Sequence, residues 1–399
     1  MQTVYLSFSL RHPDMVSLAD WQRDPEFSPE AHERLLAAHE RIREASDSLD
    51  ALREVEAELL RISAGPMSRR QRMLLDYLLA HCERARDLTK PQSFNRAQEW
   101  LTRTEDIAQS LQDIGAQVDV HELKGTLYRA VSMYREAADE FAIGLSLLRE
   151  HAKDQESFDP DFEATLAAKT ATMDYMLGDF PRALERLHRA ADLLPPEGVS
   201  ISSQGTIAWA FALLNRQRNV PLEALWHVSV AVDLYRQIGS INSTCRVLSL
   251  AADIAMDAAE SSAGDDPKQR EAYLDLAARY AREASAVGVI AKDKPGIALT
   301  DLSLARLDRL RNPAGAADVE LRIRRILRKA QRMRDDSLRV AAQIALGADL
   351  LTQGAYAPDK RELGKRWLRR AIATANDMHA PGLALRARRL LRQADGRSS

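Results

Sequence analysis

A recurring trio of positions is the feature that most constrains how this chain folds. Each trio places a residue, mostly small, four positions before a mostly bulky one and seven positions before a second small one, so all three lie on one face of a helix. Seven such trios begin at residues 97, 137, 183, 224, 277, 323 and 364, a repeat of 40 to 53 residues. A repeat of this length with two helical segments per unit predicts a helical repeat array rather than a compact fold.

The composition agrees with an array made almost entirely of helices. The 399 residues are 45% apolar and 29% charged but only 6% aromatic. Ala, Leu, Arg, Glu and Asp dominate, whereas the β-branched and aromatic residues that favour strands are sparse. The sequence therefore predicts an all-α protein with a substantial buried core.

One segment shows the complete unit of the repeat. Within residues 164–197, Leu177-Gly178-Asp179-Phe180 forms a turn between two helices and Pro195 closes the second helix, which carries the trio Ala183, Leu187 and Ala190. Residues 118–151 fit next through Gly125 and Tyr128, and Leu346-Gly347 repeats the first-helix signature.

These residues resemble tetratricopeptide repeats. The units are longer than the standard repeat of about 34 residues, as in the degenerate arrays that serve as sensor or interaction modules of bacterial signalling proteins and transcriptional regulators. The resemblance implies a right-handed α-solenoid of helix pairs. We predict an N-terminal segment with a long capping helix in residues 1–67, about seven helix pairs in residues 68–394, and a loose tail in residues 395–399.

The resemblance also implies a binding groove, because the first helices of such arrays line the concave face. Tyr175 and Trp209 are the expected aromatic anchors, although both are equally consistent with ordinary packing. The mixture of aromatic and charged side chains is typical of a groove for a peptide or protein segment. The inward-facing positions are Glu122, Thr126, Arg129, Ala168, Thr172, Tyr175, Trp209, Leu213, Arg216, Ile344 and Leu351.

Charge is distributed unevenly along the chain. Residues 301–399 contain 22 Lys and Arg against 11 Asp and Glu, although the whole chain has a net charge of −2. This excess predicts a basic face for an acidic partner, with nucleic acid as a less favoured alternative, on a monomer or weak dimer. The face comprises Arg322, Arg325, Arg328, Lys329, Arg332, Arg366, Arg369 and Arg370.

Motifs for catalysis are absent from the sequence. It has no phosphate-binding loop, dinucleotide fingerprint or nucleophile elbow, and Cys82 and Cys245 have no metal-ligand spacing. We therefore predict a non-enzyme without cofactor or metal, located in the cytoplasm, with both cysteines in the core. Three functions stay open: a protein- or peptide-binding scaffold or adaptor, a ligand- or peptide-sensing regulator in bacterial signalling or transcription, and a nucleic-acid-associated protein.

Overall fold

The structure, a computed structural model, describes residues 10, 21–22, 24, 26–44, 49–84, 91–152, 160–194, 200–262, 266–291, 293–312, 315–354 and 357–396. This part of the chain contains 17 α-helices and no strand, which confirms the all-α prediction. Pro195 lies outside the described residues. The helices are α1 (Pro29–Glu44), α2 (Leu49–Ile62), α3 (Arg69–Arg84), α4 (Pro91–Ser110), α5 (Ile114–Ala130), α6 (Tyr134–Ala152), α7 (Pro160–Leu177), α8 (Phe180–Asp192), α9 (Ile201–Gln217), α10 (Pro221–Ile238), α11 (Ile241–Ser261), α12 (Pro267–Ala291), α13 (Lys294–Arg311), α14 (Ala316–Met333), α15 (Asp336–Gln353), α16 (Pro358–Asp377) and α17 (Leu385–Gly396).

Helices α3 to α16 form seven consecutive pairs, and each second helix carries one trio. In every pair the first helix contacts the second. All 21 trio residues are buried. The repeat recognised in the sequence is therefore the packing face of the second helices, as expected for a tetratricopeptide-like solenoid.

The glycines of the first helices allow close approach within a pair. A Cβ atom on Gly125 of α5 would lie 2.6 Å from the Phe141 ring of α6. A Cβ on Gly347 of α15 would lie 2.7 Å from the Leu368 side chain of α16. Cβ atoms essentially never approach so closely, so a larger residue at either position requires the facing side chain to shift.

The Gly-Asp turn joins the two helices of the third pair. Gly178 has a φ of 88°, a left-handed conformation that glycine adopts without strain. Asp179 then caps α8, since its carboxylate accepts a hydrogen bond from the Arg182 N–H at 3.3 Å. Asp113 and Asp335 cap α5 and α15 in the same way.

The chain divides into two compact units, residues 1–166 and residues 167–399. In the first unit, helices α1 and α2 pack on α3. Leu35 of α1, Leu59 of α2, Leu101 of α4 and Leu123 of α5 belong to one hydrophobic core. The N-terminal helices therefore share a core with the first two helix pairs, and the predicted domain boundary at residue 67 stays a prediction.

Where the sequence predicts one long capping helix, the structure has two helices, α1 and α2. Arg34 of α1 donates a hydrogen bond from Nε to Glu58 Oε1 of α2 at 2.9 Å. The sequence between the two helices contains Ser46, Asp47 and Ser48, residue types that favour the start of a new helix. Residues 45–48 lie outside the described residues.

The tail predicted to be loose begins inside a helix. Asp395 lies in α17, and its carboxylate is 2.8 Å from Nζ of Lys365. The ion pair holds the end of α17 against α16. Residues 397–399 lie outside the described residues.

Both cysteines are buried and unpaired, as predicted. Burial raises the pKa of the Cys82 thiol to about 12, so this side chain stays a neutral thiol and acts as a small apolar residue. Within the described helices, none has the length and apolar content needed to cross a membrane.

Candidate ligand-binding surfaces

In the first unit, the predicted groove residues lie on α5 and are mostly enclosed. Glu122 and Thr126 are buried, and the Thr126 hydroxyl donates to Glu122 Oε1 at 3.2 Å. Arg129 is half-buried at the end of the helix. Glu122 and Thr126 therefore interact with each other rather than standing exposed to a ligand.

In the second unit, most predicted groove residues of α7 and α9 take part in packing. Thr172 is buried, and its hydroxyl donates to the Ala168 carbonyl one turn earlier. The Tyr175 ring packs edge-on against Phe180, with centroids 5.8 Å apart. Trp209 and Leu213 are half-buried against the hydrophobic core of α9 to α11. These contacts agree with the alternative that Tyr175 and Trp209 are ordinary packing residues. Ala168, Ile344 and Leu351 are likewise buried in a hydrophobic core or packed against one.

Arg216 belongs to a group of charges that joins three first helices. Its Nε lies 2.7 Å from Asp257 and its Nη2 3.1 Å from Asp253, both on α11. From α13, Arg306 approaches Asp257 and donates to Glu260 at 2.8 Å. We call Arg216, Asp253, Asp257, Glu260 and Arg306 the first-helix cluster.

The first-helix cluster is recessed between helices but keeps contact with solvent. The side chains of Asp253 and Asp257 are each 22% exposed and that of Glu260 is 34% exposed. Burial opposes ionisation of Asp257, but the nearby Arg216 and Arg306 outweigh it and hold its pKa well below the usual range. Asp257 is therefore ionised, and the three carboxyl groups are partly accessible, which suits recognition of a polar or cationic group.

Arg216 is the one member of the first-helix cluster that was predicted from the sequence. The others occur at nearly the same place in successive units, since Arg216 and Asp257 are 41 residues apart and Asp257 and Arg306 are 49 apart. These separations lie within the 40 to 53 residue spacing of the trios. An alignment of the repeats by their first helices is the signal that would have placed these side chains together.

The predicted basic face is partly assembled. Arg325, Arg328 and Arg332 of α14 line a shallow depression of about 570 Å³ together with Gln331. Gln331 of α14 and Arg370 of α16 line an adjacent depression of about 300 Å³. We call Arg325, Arg328, Arg332 and Arg370 the second-helix basic surface.

The remaining residues predicted for the basic face lie outside this surface. Arg322 pairs with Asp308, and Lys329 lies 4.0 Å from Asp301. Arg366 and Arg369 are exposed on α16 but line neither depression.

Part of the basic excess of residues 301–399 is compensated within the second unit. Arg306 pairs with acidic residues of α11, and Arg311 pairs with Asp275 of α12. Arg309 lies 3.7 Å from Glu260 and 3.9 Å from Asp349. The formal charge of this quarter therefore overstates the charge that it presents to a partner.

The described residues contain no group of three or more His, Cys, Asp or Glu side chains that could hold a metal ion. No protein-family model matches the sequence. No curated protein matches it either.

Solved structures with the same fold do exist. A Rap protein complexed with competence and sporulation factor superposes with a TM-score of 0.52 at 13% identity, covering 93% of this chain and 99% of that one. The apo form of the quorum sensor NprR from B. thuringiensis superposes with a TM-score of 0.57 at 12% identity, covering 86% and 87%. At these identities the likeness establishes the fold, which is the tetratricopeptide-like array of helix pairs.

Proposed function

We propose that this chain is a non-catalytic regulator that binds a peptide or protein segment at the first-helix cluster of its second unit. The observation that carries the proposal is the cluster itself, in which three acidic side chains pair with arginines and yet remain 22–34% exposed. Fixed, partly desolvated charges provide specificity for a complementary partner. The cytoplasmic location expected from the two unpaired cysteines fits this role.

The structural neighbours support a signal-binding role for this fold. One is complexed with competence and sporulation factor, and the other is a quorum sensor. A sensing regulator is therefore favoured over a passive scaffold, since both neighbours bind or sense a signal.

Selection of peptides from a random display library tests the proposal. The full chain is the bait, and recovered peptides are measured against wild type and the Asp253→Asn variant. We expect the variant to bind at least about 10-fold more weakly, equivalent to ~1.4 kcal/mol, because it removes one accessible charge of the cluster. Asp253 accepts a hydrogen bond from Ser303 and pairs with Arg216, so the fold of the variant is checked by circular dichroism.

The matched control is Asp275→Asn, which removes an exposed carboxylate of α12 that lies outside the cluster. This control should leave peptide affinity unchanged. Recovery of no peptide, or of peptides that bind both variants as well as wild type, would reject the first-helix cluster as the binding site.

A second candidate function rests on the second-helix basic surface. Arg325, Arg328 and Arg332 are exposed and lie on one face of α14, where they present positive charge to an acidic partner. The same selection distinguishes this candidate, because it would recover acidic peptides whose binding is lost in Arg328→Glu. Binding of duplex DNA that weakens steeply with salt would instead favour the nucleic-acid alternative.

A further inference from the structure

The residues after the last helix pair lie against earlier helices of the second unit. We call Pro381–Gly396, which comprises a 3-10 turn at Pro381–Ala384 followed by α17, the C-terminal segment. A Cβ atom on Gly382 would lie 2.1 Å from the Tyr175 carbonyl oxygen of α7. Pro381 packs over Gly178, at which a Cβ would lie 3.1 Å from Pro381 Cγ. The beginning of the segment is therefore in direct contact with the end of α7.

Two arginines extend this contact to the next two first helices. Arg389 donates from Nη2 to the Gln217 carbonyl at 2.9 Å and also bonds the Asn219 side chain, at the end of α9. Arg386 donates to Glu260 Oε2 at 3.2 Å and lies 3.6 Å from Asp257, near the end of α11. The segment thus spans the carboxyl-terminal ends of α7, α9 and α11, which we call the acceptor surface.

The acceptor surface has the chemistry of a receptor for cations. The last carbonyl groups of a helix lack partners within the helix and carry its negative dipole end. Here the Gln217 carbonyl at the end of α9 accepts from Arg389, and Asp257 and Glu260 near the end of α11 contact Arg386. The C-terminal segment is complementary, since it contains Arg386, Arg388, Arg389 and Arg392 against a single acidic residue, Asp395.

The first-helix cluster does not need Arg386 to be complete. Asp257 is already paired with Arg216 and Arg306, and Glu260 is already paired with Arg306. Burial, followed by repulsion from Arg306, lowers the pKa of Arg386, although Asp257 and Glu260 act in the opposite direction. Withdrawal of the Arg386 side chain therefore leaves no carboxylate unpaired, even while α17 stays packed on α16.

We propose that the acceptor surface is a receptor for a helical segment with two arginines three positions apart, and that the C-terminal segment occupies it as an internal competitor. This inference rests on the proposed function and specifies its partner as a basic, arginine-bearing helix. A partner of this kind displaces Arg386 and Arg389 and takes over their contacts.

The test uses the full chain and a fluorescent synthetic peptide with the sequence of residues 380–396. Binding is compared between wild type and the double variant Arg386→Ala, Arg389→Ala. We expect roughly 10-fold tighter binding by the double variant, because a site that is closed about nine-tenths of the time binds about ten times more weakly than an open one. A peptide in which both arginines are replaced by alanine should not bind the double variant.

The control variant is Arg388→Ala, which removes an arginine of the same helix that donates a hydrogen bond to Asn376 of α16. It should bind the peptide no better than wild type. Equal affinities of wild type and the double variant, or equal binding of the peptide without arginines, would overturn the inference. If the double variant fails to fold, binding of the peptide with arginines and of the peptide without them is compared on wild type, up to a saturating concentration of the first. The inference still requires the peptide with arginines to bind more tightly.

The outcome also separates this inference from the proposed function. Selected peptides that lack arginine, depend on Asp253 and bind wild type and the double variant equally would leave the proposed function intact and reject the inference. The absence of any bound peptide would reject both.

Discussion

Replacing Arg306 with alanine is expected to lower the free energy of unfolding of the second unit by about 3 to 5 kcal/mol, the usual cost of removing one partner from a buried ion pair. The Arg306 side chain is only 8% exposed and contacts Asp257 and Glu260. Its removal leaves two closely spaced carboxylates with one arginine fewer to stabilise them. Urea unfolding followed by circular dichroism measures the loss.

The matched control is Arg311→Ala on the same helix. Arg311 pairs with Asp275 and Glu271, whose side chains are 70% and 57% exposed. Because solvent screens such a pair, its loss should cost no more than about 1 kcal/mol. Similar losses in the two variants would contradict the assignment of Arg306 to a buried cluster.

The dependence on pH provides an independent readout of the same variant. The arginines outweigh burial and lower the pKa of Glu260 and of Asp257. A carboxyl group whose pKa is lowered on folding stabilises the protein above its unfolded pKa near 4, and this stability is lost as the pH falls through the folded pKa. Arg306→Ala should therefore lose less stability than wild type when the pH is lowered from 7 to 3.

Replacing Ala371 with glutamate is expected to cost about 2 to 4 kcal/mol, because it forces a larger, charged side chain into a filled interface. Ala371 of α16 is fully buried, and it packs in one core with Val340 and Ile344 of α15. The same urea titration measures the effect.

Ala373, two residues further along α16, is exposed and provides the control. Ala373→Glu should change the free energy of unfolding by less than about 0.5 kcal/mol. If the two glutamate variants were equally stable, the trio would not mark the packed face of the second helices.

The fold was predictable because its signal is local and repeated. Small residues such as Ala183 and Ala190 recur at helical spacing, and close packing of helices demands them at every pair. The N-terminal boundary was not predictable in this way, since the shared core joins Leu35 to Leu123 across 88 residues without any repeat pattern.

The candidate site was only partly predictable for a related reason. Family geometry assigned Thr172 and Trp209 to an open groove, but hydrogen bonding to the helix itself and packing on the core hold these side chains. The contact between Arg386 and Glu260 joins residues 126 positions apart, and no periodicity in the sequence indicates it. Only the three-dimensional arrangement brings the basic C-terminal segment to the acidic ends of the first helices.

The most direct test of the central claim is hydrogen–deuterium exchange of the full chain with and without a peptide selected by display. The account predicts slower exchange in the carboxyl-terminal halves of α9 and α11 and in α13, where the first-helix cluster lies. Protection confined to α14 and α16 would contradict it, because the peptide would then bind the second-helix basic surface instead.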